Sequence, residues 1–304
     1  MIPIPHYRGR FAPSPTGLLH AGSLLTAVGS YLDARSQGGE WWLRIEDLDP
    51  PREIPGAVDA ILRTLDAFGL QWDGAVTYQS QRHALYQDAL EQLIAQGAVY
   101  GCTCTRKMIA AQARRGIDGS IYPGTCRQRQ LSGAQICVWR LAVPPGLFGW
   151  VDRVQGAYAH DVANTVGDFV LKRADGFFAY QLAVVVDDAE QAMSDVVRGA
   201  DLLDSTPRQL SLLAVLGLPP PRYAHLPLVV NAVGEKLSKQ TQATPLDPRQ
   251  PVPQLRAALS GLGHPPPPEC ECLAEIWAWA HATWQLARIP AEVVHTIAAA
   301  GVQI

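Results

Sequence analysis

The chain contains no run of about 18 consecutive apolar residues, the length that a helix needs to cross a membrane. Its first residues, Met1 to His6, have neither the basic stretch nor the apolar stretch of a secretory signal peptide. No internal repeat or low-complexity tract is present either. These absences argue against a helical membrane protein, and they predict a cytoplasmic protein with no membrane partner.

An excess of basic residues is also missing, since the formal net charge is −3. That balance argues against broad nonspecific binding of nucleic acid, which requires a basic surface to neutralise phosphates. A nucleic-acid ligand would therefore need a local basic surface. A candidate is the group Arg106, Lys107, Arg114, Arg115, Arg127 and Arg129. Such a run is also typical of an ordinary solvated surface, so both interpretations stay open.

What the chain does have is enough apolar material for a core: 304 residues, 48% of them hydrophobic. Alternating strand and helix patterns predict an α/β fold with a parallel sheet, whose ligands bind at the carboxyl ends of the strands. The expected elements are a helix over Ala21 to Ala34, a strand over Trp41 to Ile45, helices over Pro55 to Phe68 and Ser80 to Ala95, short strands between Ile136 and Phe178, and a last helix near Glu269 to Leu286. Ser80 is the expected N-cap of its helix. Helical patterns return from about Asp187, which places Arg198 on a helix.

The first motif with chemical content is Arg10-Phe-Ala-Pro-Ser14-Pro-Thr-Gly17-Leu-Leu-His20-Ala-Gly22-Ser23. Pro13 and Pro15 predict a stiff, extended turn, and Gly22 allows backbone to approach a ligand closely. The helix that follows offers unpaired N–H groups and a positive dipole end to a triphosphate. His20 can donate a hydrogen bond to phosphate as charge develops. The alternative is that His20 only caps this helix.

A second motif is Glu235-Lys236-Leu237-Ser238-Lys239-Gln240. The ammonium groups of Lys236 and Lys239 can neutralise the β- and γ-phosphates of ATP as pyrophosphate leaves, and Lys239 is the expected direct contact. Taken alone, such a run is typical of a solvated loop. Its presence in one chain with His20 favours the functional interpretation.

Together these motifs resemble the HIGH and KMSKS signatures of class I aminoacyl-tRNA synthetases, and the long form of the first resembles the glutamyl and glutaminyl branch. Ala21, Ser23, Leu237 and Gln240 depart from the usual consensus. The resemblance implies a Rossmann-like catalytic domain in which His20, Lys236 and Lys239 are catalytic. It also implies that these three residues and Gly22 bind ATP, accompanied by Mg²⁺.

The amino-acid substrate can be argued from charge. An α-amino group needs a carboxylate, and substrate carboxylates need arginines in forked geometry. By resemblance to the glutamyl branch, the residues that bind glutamate are Arg10, Phe11, Ala12, Pro13, Ser14, Glu46, Tyr180 and Arg198. Family patterns point to Arg10 for the side-chain carboxylate, and Val184 replaces a common asparagine, which indicates an altered pocket. Structural alternatives are a helix cap for Glu46, a core aromatic for Tyr180 and an ion-pair partner for Arg198.

Six cysteines are present, and Cys102, Cys104 and Cys126 indicate a zinc site, because thiolates suit zinc and a fourth ligand closes its tetrahedron. Cys137 is a possible fourth ligand, but its apolar strand pattern predicts a buried thiol. The pattern resembles that of glutamyl-Q tRNA(Asp) synthetases, small paralogues of glutamyl-tRNA synthetase. That resemblance implies one Zn²⁺ per chain, held by Cys102, Cys104, Tyr122 and Cys126. The alternative is three unligated thiols.

The resemblance to the glutamyl catalytic half covers about residues 7 to 250, and it implies four units. Residues 1–100 form the first half of the Rossmann-like domain, 101–165 an inserted zinc-bearing α+β module, 166–225 the second half, and 226–304 the KMSKS-like loop and a helical C-terminal part. Only 64 residues follow Gln240, so no anticodon-binding domain is expected.

The implied activity is an ATP-dependent ligase that forms glutamyl-adenylate without tRNA. It then transfers glutamate to the queuosine base in the anticodon loop of tRNA(Asp), and the enzyme is expected to be a monomer. Alternatives are a shortened glutamyl-tRNA synthetase that charges tRNA(Glu), a silent paralogue that binds nucleotide or RNA as a regulator, and a nucleotidyltransferase with a HIGH-type fold. Intact His20, Lys236 and Lys239 argue against the silent paralogue, and a nucleotidyltransferase would not need the glutamate-binding residues.

Overall fold

The computed structural model describes residues 6–117, 119–129, 131, 133, 136–230, 244–291 and 294–296. The helices of this part are α1 (Ala21–Ser36), α2 (Ala57–Ala67), α3 (His83–Ala95), α4 (Arg106–Ala110), α5 (Val162–Thr165), α6 (Tyr180–Glu190), α7 (Thr206–Leu216), α8 (Pro251–Gly261) and α9 (Leu273–Thr283). The strands are β1 (Arg8–Phe11), β2 (Glu40–Ile45), β3 (Thr77–Tyr78), β4 (Val99–Cys102), β5 (Arg115–Gly116), β6 (Gly119–Ser120), β7 (Val138–Leu141), β8 (Leu147–Asp152), β9 (Gly156–Asp161), β10 (Val170–Lys172), β11 (Asp195–Gly199), β12 (Arg222–Leu226), β13 (Leu228–Val230) and β14 (Val294–Thr296).

Parallel strands form one part of the fold. Strand β2 pairs with β1 and β3, and β11 pairs with β12, all in parallel. A backbone hydrogen bond of 3.0 Å from Ser194 N to Arg8 O connects the start of β11 to β1. The predicted α/β fold with a parallel sheet is therefore confirmed, and the ends of β1, β2 and β11 are brought together.

Helix α1 covers this sheet because one side of it is apolar. Leu24, Leu25, Val28 and Leu32 are buried and share one core with Trp41 of β2. The helix ends at Ser36, and Gly38 then adopts a φ of +63°. Glycine takes this conformation without steric cost, so the chain can turn back into β2.

An antiparallel segment is inserted between the two groups of parallel strands. Strand β7 pairs with β4 and β10, and β8 and β9 form a hairpin. Arg153, in the turn of that hairpin, donates to Asp33 of α1 at 2.6 and 3.1 Å and to Asp195 of β11 at 3.0 Å. The hairpin is thereby attached to α1 and to the parallel strand β11.

Two local predictions in this half of the chain are wrong. Ser80 does not cap α3, because its N–H and hydroxyl bind Asp47 at 2.9 and 2.6 Å and a short 3₁₀ turn precedes the helix at His83. Arg198 lies on β11 instead of a helix. Helix α6 ends at Glu190, and Ala192, with a φ of +53°, turns the chain into that strand.

Cys137, predicted to be buried, is exposed just before β7 begins. The last predicted helix is also shorter than expected, since α9 covers Leu273–Thr283, and α8 precedes it. Within the described ranges, no helix has both the length and the apolar character needed to cross a membrane.

Candidate active site and metal site

His20 is the N-cap of α1. Its Nδ1 accepts the backbone N–H groups of Gly22 at 3.1 Å and Ser23 at 3.4 Å, while Ser23 Oγ accepts the His20 N–H at 2.7 Å. Because Nδ1 is an acceptor, the ring proton belongs on Nε2, the nitrogen that can donate to phosphate. The capping role is therefore present, and it also sets the tautomer that the catalytic role requires.

Pro245 forms an antiparallel β-bridge with His20, the histidine of the first signature. Lys236 and Lys239 lie outside the described residues. Leu246 N donates to Leu19 O at 2.9 Å, so Pro245 and Leu246 lie against the end of the first signature.

Arg10 is buried at the end of β1 and held by a carboxylate from α6. Its Nε and Nη2 donate to Asp188 Oδ1 and Oδ2 at 3.0 and 3.2 Å. Arg44 of β2 donates to the same carboxylate and, at 2.6 Å, to Gln191 Oε1. Burial would raise the pKa of Asp188, but these two guanidinium groups lower it to about 2. Asp188 is thus ionised and orients both arginines.

Glu46 and Tyr180 lie beside this pair. Burial raises the pKa of Glu46 to about 7, although Arg44 and Arg10 oppose the rise. The pKa of the Tyr180 hydroxyl is raised by burial and then by the Glu46 charge, with Arg198 and Arg10 acting in the opposite direction. The mutual effects mean that Arg10, Glu46, Tyr180 and Arg198 lie in one group of interacting charged and polar side chains.

Arg198 of β11 belongs to this group, and it is buried. Its Nε donates to His225 Nε2 at 3.0 Å and its Nη2 to Thr206 Oγ1 at 2.8 Å. Within the described part of the chain, Nη1 is buried and has no hydrogen-bond partner. A buried donor without a partner costs free energy unless a ligand satisfies it, so Nη1 is suited to a substrate carboxylate.

The turn after β1 contributes mainly backbone. Phe11 is buried and stacks on Trp41, with ring centroids 6.1 Å apart, so its side chain belongs to the core. Pro13 O accepts the Glu46 N–H at 3.0 Å, which holds the turn against the end of β2. Ala12 and Ser14 are half-buried. Val184 is buried in the apolar core of α6.

The inserted segment brings three thiols and a phenol together. The Cys102, Cys104 and Cys126 Sγ atoms lie within 4.8 Å of one another. Tyr122 Oη is 3.4 Å from Cys102 Sγ and 3.5 Å from Cys104 Sγ, and Cys104 and Cys126 Sγ are 3.5 Å apart. In a tetrahedral zinc site sulfurs at about 2.3 Å from the metal are roughly 3.8 Å apart. The four donors fit Zn²⁺, and the cluster does not include Cys137.

One thiol of the cluster is prepared for ligation. Burial would raise the pKa of Cys126, but the Thr103 backbone N–H, the Tyr122 hydroxyl and Cys104 lower it to about 6. A thiolate is the form that binds metal.

The sequence matches the catalytic domain of class I tRNA synthetases (E and Q) over residues 6–250. It is 64% identical to the glutamyl-Q tRNA(Asp) synthetase of Chromobacterium violaceum over 94% of this chain and 96% of that protein. It is 55% identical to the protein of the same name from Neisseria gonorrhoeae, over 95% of this chain and 99% of the relative. The chain belongs to the glutamyl-Q tRNA(Asp) synthetase family.

Solved structures agree on the fold of this family member. The glutamate tRNA ligase of Elizabethkingia meningosepticum superposes with a TM-score of 0.79 at 24% identity, over 96% of this chain and 67% of that one. The glutamate-tRNA synthetase of Elizabethkingia anophelis gives a TM-score of 0.76 at 26% identity, over 94% and 67%. The predicted class I Rossmann-like fold, family and ligase type are confirmed.

Sequence reasoning missed four residues around the pocket: Arg44, Asp188, Asp152 and His225. A signal existed for Asp188, because two adjacent aspartates at the end of an apolar helix require buried partners. Nothing local marks Asp152 or His225, since their side chains meet across the inserted hairpin and β12.

The six basic residues of the inserted segment, Arg106, Lys107, Arg114, Arg115, Arg127 and Arg129, are all exposed. Arg127 Nη2 donates to Val143 O at 3.2 Å, and its Nη1 is 3.6 Å from Asp168 Oδ1. The segment that carries the cysteine cluster therefore presents a positive surface, although the whole chain has a net charge of −3.

Proposed function

We propose that this protein activates L-glutamate with ATP, without tRNA, and transfers it to the queuosine base in the anticodon loop of tRNA(Asp). The proposal rests on one combination. A glutamyl-Q tRNA(Asp) synthetase is 64% identical to this chain, and the chain carries a carboxylate, Glu46, and a guanidinium with a nitrogen unpaired among the described residues, Arg198, which suit the charges of glutamate. The pocket lies at the ends of β1, β2 and β11.

In the activation step, a glutamate carboxylate oxygen attacks the α-phosphorus of ATP, and pyrophosphate leaves. His20 Nε2 and the positive dipole end of α1 stabilise the charge that develops on the phosphates, as do Lys236 and Lys239. Gly22 lets the backbone approach the nucleotide, and Mg²⁺ accompanies ATP.

Glutamate is held by opposite charges. The Glu46 carboxylate faces the α-ammonium group, and the guanidinium groups of Arg198 and Arg10 face the carboxylates. Tyr180 and the backbone from Arg10 to Ser14 complete the pocket. Glutamine would leave a guanidinium donor unpaired, which favours glutamate.

In the transfer step, a hydroxyl oxygen of the queuosine cyclopentene ring bonds to the activated carbonyl carbon, the bond from that carbon to the AMP oxygen breaks, AMP leaves, and the hydroxyl proton is released to solvent. Positioning and charge stabilisation account for the rate, so no covalent intermediate with the enzyme is expected. The exposed basic segment supports contact with the phosphate backbone, and an unstacked loop base is a usual target for RNA recognition.

The cysteine cluster would hold one Zn²⁺ per chain through Cys102, Cys104, Tyr122 and Cys126. The metal would supply a structural tie between β4 and the loop that contains Cys126. We also propose a monomer, which sedimentation equilibrium tests.

The acceptor decides between this function and its alternatives. Labelled glutamate is offered with ATP and the zinc-loaded protein to tRNA(Asp) containing queuosine, to unmodified tRNA(Asp) and to tRNA(Glu). Label is expected only on the queuosine-containing tRNA, and periodate, which cleaves vicinal diols, should prevent it. Label at the 3′ end of tRNA(Glu) would instead establish a shortened glutamyl-tRNA synthetase.

A further inference from the structure

A buried hydrogen-bonded chain runs from the inserted hairpin to the glutamate pocket. Asp152 ends β8, while His225 and Arg198 are directly opposite each other on the paired strands β12 and β11. Asp152, His225 and Arg198 are all buried.

The positions of the protons in this chain follow from its acceptors. Asp152 Oδ1 accepts three backbone N–H groups, those of Val154, Gln155 and His225, at 3.0, 2.9 and 3.0 Å. Its Oδ2 contacts His225 Nδ1. A carboxylate that receives these donors stays ionised, and its pKa is lowered by His225 against the effect of burial. His225 Nδ1 therefore carries the proton, and Nε2 has a lone pair.

That lone pair accepts the Nε–H of Arg198, a group that only donates. Thr206 Oγ1 accepts Arg198 Nη2 at 2.8 Å and lies 3.1 Å from His225 Nε2, to which it can donate. The Tyr223 ring lies 5.3 Å from Arg198 Cζ. Two of the three guanidinium nitrogens are thus fixed, and the remaining one, Nη1, is the buried nitrogen without a partner in the described ranges.

We propose that Asp152 and His225 are positioning residues that hold the Arg198 guanidinium so that Nη1 meets a carboxylate of substrate glutamate. The inference rests on the proposed glutamate pocket. Neither residue touches the substrate; Asp152 sets the tautomer of His225, and His225 orients Arg198. With the opposite tautomer, Nε2–H would face the Nε–H of Arg198, two donors would oppose each other, and the arginine would leave this orientation.

Asp152→Asn tests the tautomer directly. Asparagine keeps the volume and an oxygen for the backbone N–H groups, but its NH₂ group faces His225 Nδ1 and favours the wrong tautomer. In glutamate-dependent exchange of pyrophosphate with ATP, we expect the KM for glutamate to rise at least about tenfold. The KM for ATP and kcat should change less than about threefold, because the nucleotide contacts are intact.

Asp168→Asn is the matched control. Asp168 is also a buried aspartate of the inserted segment, but it accepts from Tyr100 Oη at 2.6 Å and Val143 N at 2.9 Å, away from Arg198. Its KM for glutamate should equal that of the wild type. An equal rise in both variants would reduce Asp152 to a structural residue and overturn the inference.

If Asp152→Asn does not fold, a second pair of variants tests whether glutamate binding requires the Arg198 guanidinium to be held in this orientation. Thr206→Val removes the hydroxyl that accepts Arg198 Nη2 at nearly constant volume, and Thr206→Ser retains it. The KM for glutamate should rise in the first variant and stay near wild type in the second. Equal KM values in the two would overturn the inference.

A double-mutant cycle shows whether the effect passes through the arginine. In an Arg198→Lys background, Asp152→Asn should produce little further rise in the KM for glutamate. A further rise as large as in the wild type would contradict the inference. If the wild type shows no glutamate-dependent exchange, the proposed function fails and this inference with it. Normal wild-type exchange with an unchanged KM in Asp152→Asn overturns this inference alone.

Discussion

His20 and Pro245 form an antiparallel β-bridge. The bridge joins the backbone at the start of α1 to a residue that follows the lysine-containing signature in the sequence. The hydrogen bond from Leu246 N to Leu19 O extends this pairing by one residue. Residues far apart in the sequence are thereby brought together at the N-terminal end of α1.

His20→Asn should separate the capping role of His20 from its catalytic role. Asparagine is a strong N-cap, so α1 should keep its stability, whereas alanine should cost about 1 kcal/mol. The Nε2–H donor is lost in both variants, and the rate of pyrophosphate exchange should fall at least about tenfold in each. Thermal denaturation and exchange kinetics give the two readouts. A fully active His20→Asn variant would mean that His20 only caps α1 and takes no part in catalysis.

Lys239→Ala should lower the exchange rate at least about tenfold, equivalent to about 1.4 kcal/mol, because an ammonium group is expected to stabilise the leaving pyrophosphate. Lys107→Ala, an exposed lysine on α4, is the control and should exchange at the wild-type rate. Equal rates in the two variants would remove Lys239 from the proposed catalytic group.

The pH dependence of glutamate use should follow Glu46, whose pKa is raised to about 7. Its carboxylate attracts the α-ammonium only when ionised, so kcat/KM for glutamate should be highest above pH 7 and fall as pH falls through 7. Glu46→Gln should lower kcat/KM and flatten this profile. Glu91→Gln, an exposed carboxylate on α3, should preserve the profile.

The free energy of unfolding of the substrate-free protein should fall as Glu46 ionises with rising pH, whereas glutamate use should rise. A raised pKa means that the folded state binds the proton more tightly than the unfolded state. The resulting stabilisation is present below the ordinary value of 4.5 and is lost as pH rises from 4.5 to about 7. Glu46→Gln should therefore gain stability relative to the wild type at pH 8, as measured by urea denaturation.

Zinc content should distinguish Cys126 from Cys137. Cys126→Ser removes a buried thiol of the cluster and should lower both bound zinc and thermal stability, since metal binding contributes to folding. Cys137→Ser changes an exposed thiol outside the cluster and should retain one zinc per chain, measured by elemental analysis. If Cys137→Ser lost zinc and Cys126→Ser retained it, Cys137 and not Cys126 would be the zinc ligand.

The basic surface of the inserted segment should matter for tRNA and not for activation. Replacing Arg114 and Arg115 together by glutamine should raise the KM for queuosine-containing tRNA(Asp) and reduce its salt dependence, because phosphate contacts release counterions. Glutamate-dependent exchange without tRNA should be unchanged. Arg63→Gln, an exposed arginine on α2, serves as the control for transfer. An unaltered KM in the double variant would make the segment ordinary solvated surface.

Much of the fold was predictable because its signals are local. Prolines, a capping histidine and a 3.6-residue apolar pattern predict the turn and α1, and three cysteines within a short segment predict the cluster. Tyr180 was harder, since the three valines after it favour a strand by propensity, and only packing against the apolar core makes that segment helical. Asp188 and His225 acquire their roles through partners far away in the sequence, which no local pattern records.

Asp152 and Arg153 are neighbours on one hairpin, yet both bind residues outside it: Asp152 contacts His225, and Arg153 contacts Asp33 and Asp195. The hairpin is therefore tied by its side chains to the sheet that it touches. Exchange of residues 147–161 between distant relatives should succeed only when the residues opposite positions 152 and 153 are exchanged as well. Over evolutionary time, positions 152 and 225 should vary as a pair.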